Sequence, residues 1–270
     1  MDPMLSETPE DAAASLPTRE ELQAELLPLP DKPDQPALVH GSVPVFEQVL
    51  AHALSYVRGK RGADLLAVIL VGSGARRAFT PNSDIDLIVL VKGRDEADDL
   101  VRVGERVIEI LYRDYRTVEA DLAHVPRLPP LLRKARILYD TDAMAAKLLD
   151  KANQRFRQGP PPLTLNEKIR LRAEHSRRLG KVQDLLQYPA TAEYLLTLFF
   201  DDIVEAAFQL RGLWPTAPAD TLRFLASRDA ALVNLLDRFL TAPTPAERLA
   251  VGREILSAVF QDIPLPPRID

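Results

Sequence analysis

The chain has 270 residues, no cysteine and a formal net charge of −5. An apolar share of 46% is enough for a core and excludes a wholly disordered chain. The lack of cysteine excludes disulfides, a thiolate nucleophile and a cysteine zinc site, and the mild acidity argues against a dedicated nucleic-acid binder, which carries a basic footprint.

Residues 1–16 are polar and acidic and read as a loose tail. They lack the basic start and apolar core of a secretory signal, so a cytoplasmic location is expected. Pro17-Thr18 followed by REELQAELL reads as a short capped helix. The next stretch, PLPDKPDQPALVHG, carries four prolines and excludes regular helix or central strand. Residues 1–36 are therefore set apart as a tail and proline-rich segment.

Further on, Val45, Phe46, Val49, Leu50, Leu54 and Val57 recur at helix spacing. Three continuous apolar runs follow: LLAVILVG from Leu65, DIDLIVLV from Asp84 and RVIEILYR from Arg106. Such runs fit strands of a sheet covered by helices. Between the second and third, GRDEADDLVRVGE reads as a short charged helix. TVEADLAH reads as another helical turn and RILYD as a last short strand. Beyond Asp140, residues 141–157, 164–188, 191–212, 218–240 and 244–260 carry helix periodicity, with Pro or Gly breaks between them. The expected architecture is an α/β (α+β) domain with a mixed sheet over 37–145, followed by an all-α domain over 146–270. The longest apolar runs are too short to span a bilayer, so no membrane partner is expected.

The chemistry concentrates in VILVGSGARRAFTPNSDIDLIVLV, residues 68–91. Asp84 and Asp86 flank Ile85 at the head of an apolar strand, and alternation puts both carboxylates on one face. Two acids there repel unless a positive charge sits between them. Oxygen-only ligands with room for phosphate favour Mg2+. Glu109, the one acid inside RVIEILY, supplies a third carboxylate if its strand lies beside the Asp84 run; Asp114, past the apolar run, is the alternative. Gly72-Ser73-Gly74 follows the first strand directly. Glycine permits close backbone approach to phosphate, the Ser73 hydroxyl and neighbouring N–H groups can hold its oxygens, and Arg76 and Arg77 add positive charge. The set points to phosphoryl or nucleotidyl transfer.

Gly72-Ser73, followed after ten residues by Asp84-Ile85-Asp86, with Ser83 and Leu87 on either side, resembles the signature of the DNA polymerase β-type nucleotidyltransferase superfamily. It is most similar to the minimal and aminoglycoside-type members, which pair a small α/β catalytic domain with C-terminal helices. The resemblance implies that Asp84 and Asp86 bind Mg2+, with Mn2+ as a second fit. It implies that Gly72 and Ser73 hold the triphosphate of ATP or another NTP, and it maps the third carboxylate onto Glu109. Ser83 and Arg76 join the nucleotide-binding candidates. YLLTLFFDDIVEAAFQLRGLWP broadly resembles the helices of bacterial small-molecule nucleotidyltransferases. The expected partners are therefore an NTP and a hydroxyl-bearing small molecule of aminoglycoside-like class; the alternatives are a partner protein, as for toxin–antitoxin members, or a catalytically silent nucleotide-binding scaffold. A homodimer is left open, and nucleic acid is not expected.

Among the helices, Glu193, Thr197, Asp201, Glu205 and Gln209 recur every four residues. This polar stripe is either a solvent face or a cleft wall for a cationic acceptor. Asp202 lies off the stripe. Lys168, Arg172, Arg177, Arg178 and Lys181 make a basic segment that is either solvated or turned toward the triphosphate. His175 carries little information. Trp214 reads as a packing residue or a substrate-stacking ring.

Overall fold

The computed structural model describes residues 42–76, 83–93 and 98–266, with side chains from 45 onward. Arg77 and the short helix expected after Pro17-Thr18 lie outside the described residues. Helix α1 spans Ser42–Arg61. The chain then runs through β1 (Leu65–Val71), a single turn α2 (Gly72–Ala75), β2 (Ile85–Val91), β3 (Asp99–Val103) and β4 (Arg106–Asp114). Helices α3 (Tyr115–Asp121) and α4 (Leu128–Arg133), strand β5 (Arg136–Asp140) and helix α5 (Met144–Gln158) follow.

The five strands form one sheet in the order β3-β4-β2-β1-β5. Only β2 and β4 run parallel, and the other three pairings are antiparallel, so the sheet is mixed as expected. Its centre is covered on both faces. Phe46, Val49, Leu50, Ala53 and Val57 of α1 pack on Val68, Leu70, Leu87, Val89, Ile108 and Ile110. On the opposite face Ile69, Val71, Ile88 and Leu90 meet Val118, Leu122, Leu132, Ala145 and Leu148. Burial on both sides explains why β1 and β2 are unbroken apolar runs rather than alternating ones.

Of the charged helix expected over 93–105, residues 94–97 lie outside the described residues and the described remainder is not helical. Residues 99–103 form edge strand β3, joined to β4 by the two-residue Gly104-Glu105 turn, with Gly104 at φ +58°. Val101 and Val103 pack toward the α1 face, while Leu100 and Arg102 turn outward. Asp99 secures this edge by accepting from Lys60 Nζ at 2.7 Å, Tyr112 Oη at 3.0 Å and Tyr56 Oη at 3.1 Å. The Lys60 bond, followed by the tyrosine hydroxyls, holds the Asp99 carboxyl below the usual range. Helix α4 was not expected. Its prolines sit in the first turn, where a missing N–H costs no helical bond.

Beyond α5 the described elements are helical: α6 (Leu165–Asp184), α7 (Pro189–Leu210), α8 (Thr221–Ala226), α9 (Ala230–Thr241) and α10 (Pro245–Val259). The helix expected over 218–240 is therefore two. The break falls at 227–229, where Asp229 accepts from the Leu232 amide and caps α9. A Thr164–Glu167 capping box opens α6. Leu179, Val182, Leu196, Phe199, Ile203, Leu236, Phe239 and Ile255 form a hydrophobic core separate from the two sheet faces. At Gly252 helix α10 comes close: an added Cβ would stand 3.2 Å from Leu179 and 3.4 Å from the Phe199 and Phe239 rings. Trp214 ties this part to α5, stacking on Phe156 and donating from Nε1 to the Phe156 carbonyl at 2.9 Å. Among the described residues no helix is long and apolar enough to cross a membrane.

Candidate active site

The sheet register builds the site. Asp86 is the Cα partner of Glu109 across the parallel β2–β4 pair. In-register neighbours point to one side, so both carboxylates rise from the face that Ile88 and Leu90 share with α5. Asp84, two residues before Asp86, belongs to the same side and is exposed. The α3–α5 layer covers the middle of this face and leaves Asp84 and Glu109 open to solvent.

On the other side of Asp86 lies β1, with Val71 as its register partner. The chain turns there at Gly72, which holds φ +67°. A Cβ at Gly72 would run into Asp86 Oδ2, so the backbone of the turn lies directly against that carboxylate. Glycine is required twice, for the left-handed conformation and for the close approach. Ser73 follows, half-buried, at the start of α2. This helix is a single turn of four residues, so local N–H groups rather than a long dipole are what it offers an anion.

Burial raises the Asp86 pKa above the ordinary carboxylate value, and the neighbouring charges of Glu109 and then Asp84 push it the same way. Among the described residues no Lys, Arg or His forms an ion pair with any of the three. Nor is any group of three His, Asp or Glu side chains already drawn together as a ligand set. Crowded carboxylates without a protein cation suit a hard divalent ion, which removes the repulsion and accepts oxygen ligands.

The other candidates divide. Ser83, half-buried, accepts from Arg106 through its carbonyl at 3.3 Å. Arg76 folds back, donating from Nε to the Gly72 carbonyl at 3.2 Å, and pairs with Asp220 at 2.9 Å. Asp114 accepts from the Arg116 amide at 2.9 Å and the Thr117 amide at 3.3 Å, capping α3. That occupation separates it from Glu109. Asp114→Ala is expected to lower stability by about 1 kcal/mol, as a lost cap does, and to leave nucleotide binding unchanged; denaturant melts and binding titrations of the same variant check both.

Much of the polar stripe on α7 is taken up by the bundle itself. Glu193 pairs with Arg248, Thr197 donates to the Glu193 carbonyl, and Gln209 donates to Glu205. Asp202 pairs with Arg178, and Arg172 donates to the Ile263 carbonyl. His175 is buried against Phe199 and Phe260, with Nδ1 bonded to the Leu171 carbonyl. Trp214 is a packing residue. Sequence reading missed Lys134 and Asp220, which stand near Arg76. Neither sits in a motif or an apolar run, so no local signal marks them.

Comparison with known proteins bears on the same segment. Residues 54–139 match the family model for a nucleotidyltransferase domain. No curated protein sequence matches the chain. Among solved structures, a nucleotidyltransferase-like protein from Exiguobacterium sibiricum 255-15 is similar, with a TM-score of 0.47 and 14% identity over 79% of this chain and 74% of that one. The matched segment contains Gly72, Ser73, Asp84, Asp86 and Glu109, so the chain carries a nucleotidyltransferase domain over residues 54–139.

Proposed function

We propose that this chain moves a nucleoside monophosphate from an NTP, with ATP first, to the hydroxyl of a small-molecule acceptor and releases pyrophosphate. The observation that carries this reading is the Asp86–Glu109 register, with Asp84 beside it and the Gly72 backbone against the Asp86 carboxylate. Asp84, Asp86 and Glu109 would hold Mg2+, or Mn2+, which supplies Lewis-acid charge to phosphate oxygens and makes a hydroxyl easier to deprotonate. The Gly72 turn and the Ser73 hydroxyl bind the phosphate tail, and Arg76 and Ser83 flank it. The acceptor oxygen bonds to the α-phosphorus as the bond to the β-phosphate oxygen breaks, and pyrophosphate leaves with that electron pair. Glu109, exposed at the open side, takes the hydroxyl proton and passes it to water.

In this reading residues 37–145 carry the chemistry and 146–270 provide the acceptor side, with a core of their own as support. The test uses the purified full chain with Mg2+ and α-phosphate-labelled ATP, against a panel of hydroxyl-bearing amino sugars. The expected result is metal-dependent nucleotide binding, pyrophosphate release and transfer of label. The reading fails if the chain binds no nucleotide and Asp86→Asn behaves like the parent throughout.

A further inference from the structure

One cross-strand row runs through the site. Val71 partners Asp86, Asp86 partners Glu109 and Glu109 partners Leu100, so the row crosses β1, β2, β4 and β3 in turn. Register partners project to one side. Leu100 therefore shares the face of the carboxylates, one strand and about 5 Å beyond Glu109. Leu100 is 74% exposed. Val107 and Leu111, two residues either side of Glu109, lie on that face as well; Val107 is 37% exposed and Leu111 half-buried. Both are diagonal neighbours of Leu100, within reach of a long side chain. The three make an apolar shelf that ends at the Glu109 carboxylate.

A lone exposed leucine needs no explanation, but the outward positions of an edge strand ordinarily carry charge. Asp98 and Arg102, two residues either side of Leu100, follow that rule and are already engaged. Asp98 pairs with Arg113 at 2.5 Å, and Arg102 donates to Glu105 and to the Gly104 carbonyl, each at 2.9 Å. Between these two pairs the outward face of β3 is apolar.

The direction of the reaction decides what rests there. In transfer at phosphorus the entering and leaving oxygens lie roughly in line. With the phosphate tail on the Gly72 turn and the hydroxyl at Glu109, pyrophosphate leaves at the β1 end of the row and the acceptor approaches from the β3 end. We propose that Leu100 and Val107 carry the body of the acceptor, and that they select a hydroxyl-bearing molecule with an uncharged alkyl or aryl group beside the reacting hydroxyl. This deepens the nucleotidyl-transfer reading and rests on it. Glu109 takes the proton, while the shelf next to it holds the carbon skeleton and excludes water.

The test compares phenyl and methyl glycosides of glucosamine as ligands of the full chain loaded with Mg2+ and a non-hydrolysable ATP analogue, by calorimetry. The phenyl glycoside is expected to bind about tenfold more tightly, as partial burial of a large apolar side chain provides. Leu100→Gln is expected to erase that preference, with affinity for the methyl glycoside and the ATP analogue kept within about twofold and the melting temperature unmoved, as for an exposed site. Leu100→Met is expected to keep the preference, and Val107→Thr to lower it about threefold through the loss of one methyl from the contact. Equal affinity of the parent for the two glycosides, or a Leu100→Gln chain that keeps the preference, overturns the shelf and leaves nucleotidyl transfer standing. So does a parent that binds the ATP analogue and neither glycoside. A parent that sediments as a dimer, with Leu100→Gln as a monomer, gives the shelf to a second copy of the chain and overturns the proposal. A parent that binds no ATP analogue with Mg2+ present overturns the shelf together with the reading beneath it.

Discussion

Asp86→Asn is expected to lower nucleotidyl transfer by about a thousandfold and, in metal-free buffer at neutral pH, to raise the melting temperature. The first effect follows from charge. An amide cannot replace a carboxylate between two others as a ligand for a hard cation, and several kcal/mol of transition-state stabilisation is what such an ion provides. The second follows from the environment of Asp86. Burial, Glu109 and Asp84 all disfavour its ionised form, so the neutral amide removes a repulsion the folded state tolerates. Solvent screening at this half-buried site holds the relief to about 1 kcal/mol or less, a rise of no more than about 2–4 °C in a chain near this size. The sign of the pH dependence is set by the same shift. Because the folded-state pKa lies above the unfolded one, the contribution of Asp86 to stability is fullest below the unfolded value and is lost as pH rises through the folded value. Metal-free melts from pH 4 to 7 should therefore converge for parent and variant at the acid end and separate toward neutrality. Added Mg2+ should stabilise the parent and leave Asp86→Asn unmoved.

Gly72→Ala is expected to be nearly as damaging, by a different route. The left-handed conformation at φ +67° costs a residue with a Cβ about 1–2 kcal/mol. The new methyl meets Asp86 Oδ2, so either the turn or the carboxylate must shift. A displacement of that order at a reacting centre lowers turnover by about a hundredfold. The control is Gly104→Ala, also at positive φ, with nothing within 4 Å of its added Cβ. It should cost similar stability and spare turnover. Equal turnover losses in both variants would argue that strain, rather than the contact with Asp86, is what matters.

The parts of this fold legible in the sequence are those where one physical demand dominates. β1 and β2 are buried on both faces, so their residues have to be apolar throughout, and that pattern is hard to misread. Asp84 and Asp86 stood out because two acids at the head of such a strand have no packing reason to be there, and Glu109 because its neighbours Ile108 and Ile110 are fully buried. Edge strand β3 answers to weaker demands. One face of it is open and its charges satisfy Lys60, Arg113 and solvent, so its sequence resembles a charged helix. Helix α4 was hidden by prolines that only a first turn accommodates. The Arg76–Asp220 pair joins residues 144 positions apart, a tertiary fact with no local signature. Asp114 shows the converse: nothing local marks it off from the other acids, and only the hydrogen bonds it accepts from the Arg116 and Thr117 amides reveal that it is used as a cap.

The chain has one tryptophan. Trp214 is 8% exposed, stacked at 6.1 Å on Phe156, with the Arg155 guanidinium carbon 4.9 Å from its ring centre. Phe156 in turn carries Arg133 on its ring. Excited beyond the absorption of its six tyrosines, the molecule therefore fluoresces from a single indole at the join between α5 and the C-terminal helices. Its emission wavelength and quenching by iodide report on that join and on nothing else, without any label.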